Sequence, residues 1–191
     1  MLIGFVLTST HCFSQGFIQG IMERLHFGLK AGVNYSNYTQ ADFKTQALVG
    51  FHAGGLVDFD LTKNLCIQEE FLFSSQGAKV SEDVFGQKNV TVYYMTVPFL
   101  LKYRTHSGLY IEAGPQVGTR IKDNVDSLKS GNFAKLLDLS AAAGIGFQSK
   151  SGFGIGVRYV AGLSTIGDFK SSDINPNFRS SIIQASIFYI F

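Results

Sequence analysis

The chain of 191 residues has no tryptophan, three prolines and two cysteines. No stretch approaches the roughly 18 consecutive apolar residues of a membrane-crossing helix, so a helical span is excluded. Charge of one sign is also scarce. The net charge of +2 gives no basic field for a polyanion, so no nucleic-acid partner is expected. Few prolines leave long backbone ladders intact. Cys12 falls in a segment read below as removable, which leaves Cys66. A lone cysteine forms no internal disulfide, and a small core residue is its expected role.

What the sequence has in quantity is glycine and aromatics: 21 Gly, 18 Phe and 8 Tyr. That mixture suits many β-strands whose backbones approach one another closely. The first 14 residues read as a secretory signal. Leu2-Ile3-Gly4-Phe5-Val6-Leu7 is an apolar core, small and polar residues follow, and cleavage after Ser14 fits a small-x-small site. The basic segment that ordinarily precedes such a core is missing, which fits a start upstream of Met1. Cys12 also suggests a lipoprotein, but His11 before it fits that signal poorly. Residues 15–25 then form a short periplasmic segment and 26–191 one domain.

Eight segments alternate with period two, at about 26–38, 48–61, 65–79, 90–104, 108–122, 136–149, 152–167 and 180–191. They exceed the usual strand of about five or six residues and reach the ~9–11 that cross a bilayer when tilted. Thr62-Lys63-Asn64, Thr105-His106-Ser107 and Ser149-Lys150-Ser151 read as tight turns. Longer links at about 39–47, 81–89, 123–135 and 168–179 alternate with them. Membrane barrels show this asymmetry, with short periplasmic turns and longer external loops. The last strand carries an apolar stripe, Ile183, Ala185, Ile187, Tyr189 and Phe191. Its end, Ile187, Tyr189 and Phe191, reads as a barrel-closing C-terminal signal.

Splitting the strands by face separates two populations. Phe27, Leu29, Ala31, Val33 and Tyr35 share one face of the first strand; Gly28, Lys30, Gly32, Asn34 and Ser36 share the other. The fifth strand sets Leu109, Ile111, Ala113, Pro115 and Val117 against Tyr110, Glu112, Gly114, Gln116 and Gly118. The second and seventh behave alike. Glycines would be odd on a solvated exterior but suit a narrow lumen. The apolar face is therefore expected to meet lipid. Phe27, Phe59, Tyr103, Phe147, Phe153 and Tyr189 would form a periplasmic aromatic girdle. The expected fold is all-β, an eight-stranded antiparallel up-and-down transmembrane β-barrel. A soluble ligand-binding barrel is the alternative, distinguished by which face holds the charges.

The chain resembles the PorT-like outer-membrane β-barrel proteins of Bacteroidetes-type bacteria. The residues that carry the resemblance are Phe27-Gly28-Leu29-Lys30-Ala31-Gly32-Val33-Asn34, Gln68-Glu69-Glu70-Phe71-Leu72-Phe73-Ser74 and Gly77-Ala78-Lys79. It continues in Val97-Pro98-Phe99-Leu100-Leu101-Lys102-Tyr103, Tyr110-Ile111-Glu112-Ala113-Gly114-Pro115-Gln116, Gly156-Val157-Arg158-Tyr159 and Gly162-Leu163. The resemblance implies an eight-stranded barrel in the outer membrane of a Gram-negative cell. One namesake is tied to secretion through the type IX system, a role not carried over to this chain.

The polar face holds Lys30, Asp58, Asp60, Glu70, Lys102, Glu112, Arg120, Asp138 and Arg158. Charges in a narrow interior must be paired. Glu70, Lys102, Glu112 and Arg158 are expected to form one lumen cluster, with Lys102 meeting a glutamate across adjacent ladders. Eight strands leave a lumen that side chains fill, so a static plug is favoured over a narrow solute pore. No Ser/His/acid set is legible, and His52 reads as a packed lumen residue rather than a catalytic base. Asp123-Asn124-Val125-Asp126 reads as a polar turn rather than a cation site. Gly144-Ile145-Gly146 and Gly152 to Gly156 lack the helix that a phosphate loop needs. No enzyme activity, metal or cofactor is expected; a membrane-embedded lipid-modifying enzyme is the remaining alternative. Expected partners are outer-membrane lipid, the barrel-assembly machinery and proteins met at the external loops.

Overall fold

Strict apolar/polar alternation over 10 to 16 residues favours strands buried on one face, and eight of them close on themselves. The computed structural model describes residues 20–39, 45–80, 89–123, 137–164 and 179–191. Its strands are β1 (Leu25–Thr39), β2 (Thr45–Asp60), β3 (Leu65–Val80), β4 (Asn89–Arg104), β5 (Leu109–Asp123), β6 (Leu137–Gln148), β7 (Phe153–Gly162) and β8 (Arg179–Ile190). Each pairs antiparallel with its neighbours in sequence, and β8 returns to β1 to close the barrel. The signal-like segment 1–14 and the turn 124–126 lie outside the described residues.

Two departures from the expected boundaries have local causes. β7 stops at Gly162, not 167, because Leu163 and Ser164 turn their backbone N–H groups to the Leu139 carbonyl of β6. β2 begins at Thr45, since its register on β3 shifts between Ala47 and His52 and a bulge lets the strand run on. The link between β1 and β2 is correspondingly shorter than 39–47. A second register shift separates Tyr93 from Tyr94 in the β4–β5 ladder.

The three tight turns join β2 to β3, β4 to β5 and β6 to β7, so they gather at one end of the barrel. Gly108 and Gly152 sit in two of them with φ of 95° and 89°, a backbone that L side chains resist. Two of the three prolines stand inside strands, where a missing N–H normally excludes them. The ladders open around both. β3–β4 pairing pauses between Glu69↔Phe99 and Leu72↔Thr96, beside Pro98, and β4–β5 pauses between Pro98↔Gln116 and Leu101↔Ala113, beside Pro115.

The faces fall as the alternation requires. Leu29, Ile111, Ile145 and Ile187 point outward and are 57–65% exposed, whereas Lys30, Glu70, Lys102, Glu112 and Arg158 point inward and are at most 5% exposed. An exterior so apolar needs an apolar surrounding. The soluble-barrel alternative, with charges outside, is thereby excluded.

Candidate functional site: the filled lumen

The inward residues stack in layers along the barrel axis. Nearest the tight-turn end, Leu56, Tyr110, Phe188 and Ile190 form an apolar layer, with Tyr110 and Phe188 edge-to-face at 6.0 Å. Toward the other end, Leu100, Ala142, Val160 and Ile182 form a second. Strand order puts Glu112 and Arg158 between them, whereas Asp58 stands one inward position beyond Leu56 toward the tight turns. Tyr110 precedes Glu112 on β5, Val160 follows Arg158 on β7, and on β8 Gln184 and Ser186 lie between Ile182 and Phe188.

Arg158 is the hub. Its Nη1 and Nη2 donate to Glu70 Oε2 and Oε1 at 2.8 and 2.7 Å, and its Nε donates to Glu112 Oε1 at 2.8 Å. The bidentate fork matches carboxylate geometry and fixes orientation as well as charge. Lys30 Nζ adds a bond to Glu70 Oε1 at 2.8 Å, and Gln68 donates to the same oxygen. Lys102 is placed differently from the expectation. Its ammonium group bonds Gln68 Oε1 at 2.8 Å and pairs with Asp58 at 3.6 Å, so its link to Glu70 runs through Gln68. Lys102 Nζ also stands 4.5 Å from the centroid of Tyr110 and 4.9 Å from that of Phe188, a cation on two aromatic rings. Lys30, Lys102 and Arg158 thus meet Asp58, Glu70 and Glu112, three cations with three carboxylates.

Lys30, Asp58 and Gln68 join the four expected members: Lys30 adds a second cation on Glu70, and Asp58 and Gln68 hold Lys102. The other inward charges lie nearer the mouths. Asp60 pairs with His26 at 3.2 Å, and Asp138 accepts from Ser140 and Ser164. Arg120 is half-buried on the inner face of β5. Cys66 is a buried free thiol on β3. Ile187 and Tyr189 face outward from β8. Phe191 follows its end, with its N–H on the Phe27 carbonyl and its ring against Tyr189.

Glycine makes room for these side chains. A Cβ on Gly144 would stand 2.9 Å from Glu112 Oε1, and one on Gly32 would stand 2.7 Å from the His52 ring. In both pairs the glycine is the register partner, on the adjacent strand, of the bulky side chain that fills its space.

One arrangement is not legible in the sequence. His52 Nε2 lies 2.9 Å from Ser186 Oγ, and its Nδ1 lies 2.8 Å from Asn34 Oδ1. The Asn34 amide donates to the carbonyls of Phe51 and Ser75 and to Ser74, so its oxygen must face His52. His52 therefore carries its proton on Nδ1, and Nε2 accepts from the serine. Three strands, β1, β2 and β8, supply these residues, and no local spacing announces them. Nucleophile, base and orienting amide are in order. Ser186, however, is 8% exposed and lies between the two apolar layers.

At the tight-turn end a mouth of about 580 Å³ opens below the aromatic layer, lined by His26, Asp58, Asp60, Arg104, His106 and Gln148 among others. Among the described residues, no group of three His, Cys, Asp or Glu converges on a metal-sized site.

Residues 13–167 match the family described as outer membrane protein beta-barrel domain. Solved structures share the fold at low identity. Neisserial surface protein A is similar with a TM-score of 0.54 and 14% identity, over 86% of this chain and 97% of that one. Ail, the attachment invasion locus protein of Yersinia pestis, is similar with a TM-score of 0.51 and 15% identity, over 87% and 98%. Ail in complex with the heparin analogue sucrose octasulfate gives 0.50 and 17%, over 88% and 99%. No curated protein sequence matches the chain.

Proposed function

The chain belongs to the outer membrane protein β-barrel domain family, and on that premise we propose that it is a non-enzymatic barrel with a side-chain-filled lumen, acting as a structural or interaction protein through its external loops. It spans the outer membrane of a Gram-negative cell. The observation that supports this reading is the closed interior. Six charges neutralise one another in a lumen that also carries two apolar layers, and eight strands leave no spare width. A conduction path would require Arg158 to leave two carboxylates at once, each then buried without its partner. The fold also fits an interaction role, because a rigid barrel can hold long external links against partners while its lumen stays inert. The Ail structure with a sulfated sugar gives a precedent in the fold for ligand contact. The PorT-like motifs in β1, β3, β4 and β5 make that branch of the family part of the proposal.

Proteoliposome swelling tests it. Vesicles carrying the folded barrel should swell in iso-osmotic arabinose or glycine at the protein-free rate. Swelling that rises with the protein-to-lipid ratio would favour the narrow-pore alternative. Labelling of Ser186 by a fluorophosphonate probe would instead revive the lipid-modifying enzyme.

A further inference from the structure

One carboxylate sits on the wrong face. Along β3 the alternation points Gln68 and Glu70 into the lumen and Ile67, Glu69 and Phe71 outward. Glu69 is half-buried. Among the described residues it is the one charged side chain on the outer face more than two positions from a strand end; Lys79 and Lys122 stand one position from theirs. No described residue gives Glu69 a hydrogen bond or an ion pair.

Its surroundings are apolar, with a gap on one side. The register places Val57 of β2 and Phe99 of β4 beside it, and Phe71 beyond is 48% exposed. Gly55, opposite Phe71, leaves a notch, since a Cβ there would meet only one atom within 4 Å, the Gly28 carbonyl oxygen at 3.9 Å. Glu69 is four residues from Leu65, where β3 begins at the tight-turn end. At ~3.3 Å per residue and a tilt near 40°, that is about 10 Å of depth, and an extended glutamate covers part of the return to the interface.

A carboxylate facing hydrocarbon needs a counter-group that donates hydrogen bonds. Among the described residues none supplies it, which leaves the lipid leaflet as the source to test. We propose that Glu69 and the Gly55 notch form a headgroup site for an aminophospholipid of the tight-turn-side leaflet. The primary ammonium group would donate to the Glu69 carboxylate, and the acyl chains would lie along Val57, Phe71 and Phe99. A second copy of this chain is a poorer occupant, because a two-fold contact centred there would bring Glu69 against Glu69.

The test uses the full barrel, purified in mild detergent with an equimolar mixture of phosphatidylethanolamine, phosphatidylcholine and phosphatidylglycerol of identical chains. Bound lipids are counted by native mass spectrometry. Choline keeps the positive charge but has no N–H, so the ethanolamine/choline ratio isolates the hydrogen bond. The wild type should retain ethanolamine lipid about tenfold over choline lipid, the ratio one charge-assisted bond supports. Glu69→Gln should bring the ratio to about one, and Glu69→Asp should keep part of it. Heat-modifiability on gels verifies that each variant is folded. No preference in the wild type, or an unchanged preference in Glu69→Gln, overturns the proposal. So does a membrane protein that co-purifies through Glu69 while lipid retention is indifferent to it.

Discussion

Arg158 shows what one residue decides. It holds Glu70 with two bonds and Glu112 with a third, from β7 across to β3 and β5. Alternation alone puts all three on the inner face. It does not show that Lys102 turns to Asp58 and Gln68, because that choice depends on how the closed barrel staggers non-adjacent strands. The Ser186–His52–Asn34 set is hidden for another reason: it forms only where β8 closes on β1, a pairing of the two ends of the chain. The consequence is measurable by urea unfolding in lipid vesicles. Arg158→Met should cost about 3–5 kcal/mol, because two buried carboxylates lose their partner. In double-mutant cycles the Arg158–Glu70 coupling should exceed the Lys102–Glu70 coupling, which passes through Gln68. The reverse order would show that Arg158 is not the hub.

At the level of elements, the strands are the most legible part of the chain. Period two fixes faces whatever the register, so all eight strands and the inward charges can be read from one sequence. Bulges cannot, since one extra residue at Ala47/His52 or Tyr93/Tyr94 changes the phase without changing composition. Nor can the openings at Pro98 and Pro115, which by rule argue against strands at those positions. The lumen glycines are legible as a class but not in their use. The space beside Gly144 is filled by its register partners on the two adjacent strands, Glu112 and Arg158, whereas Gly55 faces outward with open space beside it. Gly144→Val should therefore destabilise by about 1–3 kcal/mol through overpacking, while Gly55→Val should be close to neutral. Both are read from heat-modifiability midpoints. Equal losses at the two sites would contradict the packed lumen.

For the whole molecule, the apolar exterior, the short turns at one end and the sealed interior belong to one design. A barrel that meets lipid on every outer face places nearly all its polar chemistry inside or beyond the membrane, with Glu69 the exception among the described residues. With eight strands the inside is only wide enough to be filled. Strand length, alternation and turn spacing make the membrane barrel readable in the sequence itself. Partners stay unreadable because external contacts are set by links whose sequence carries no period. The two seals, Leu56–Tyr110–Phe188–Ile190 and Leu100–Ala142–Val160–Ile182, turn the filled lumen into a claim about current. Planar-bilayer recording of the purified, folded barrel measures it most directly. The wild type should insert without conductance steps above the lipid background, and Tyr110→Ala with Phe188→Ala and Arg158→Ala should open stepwise current. Resolved steps from the wild type itself, abolished by none of these changes, would contradict the closed lumen.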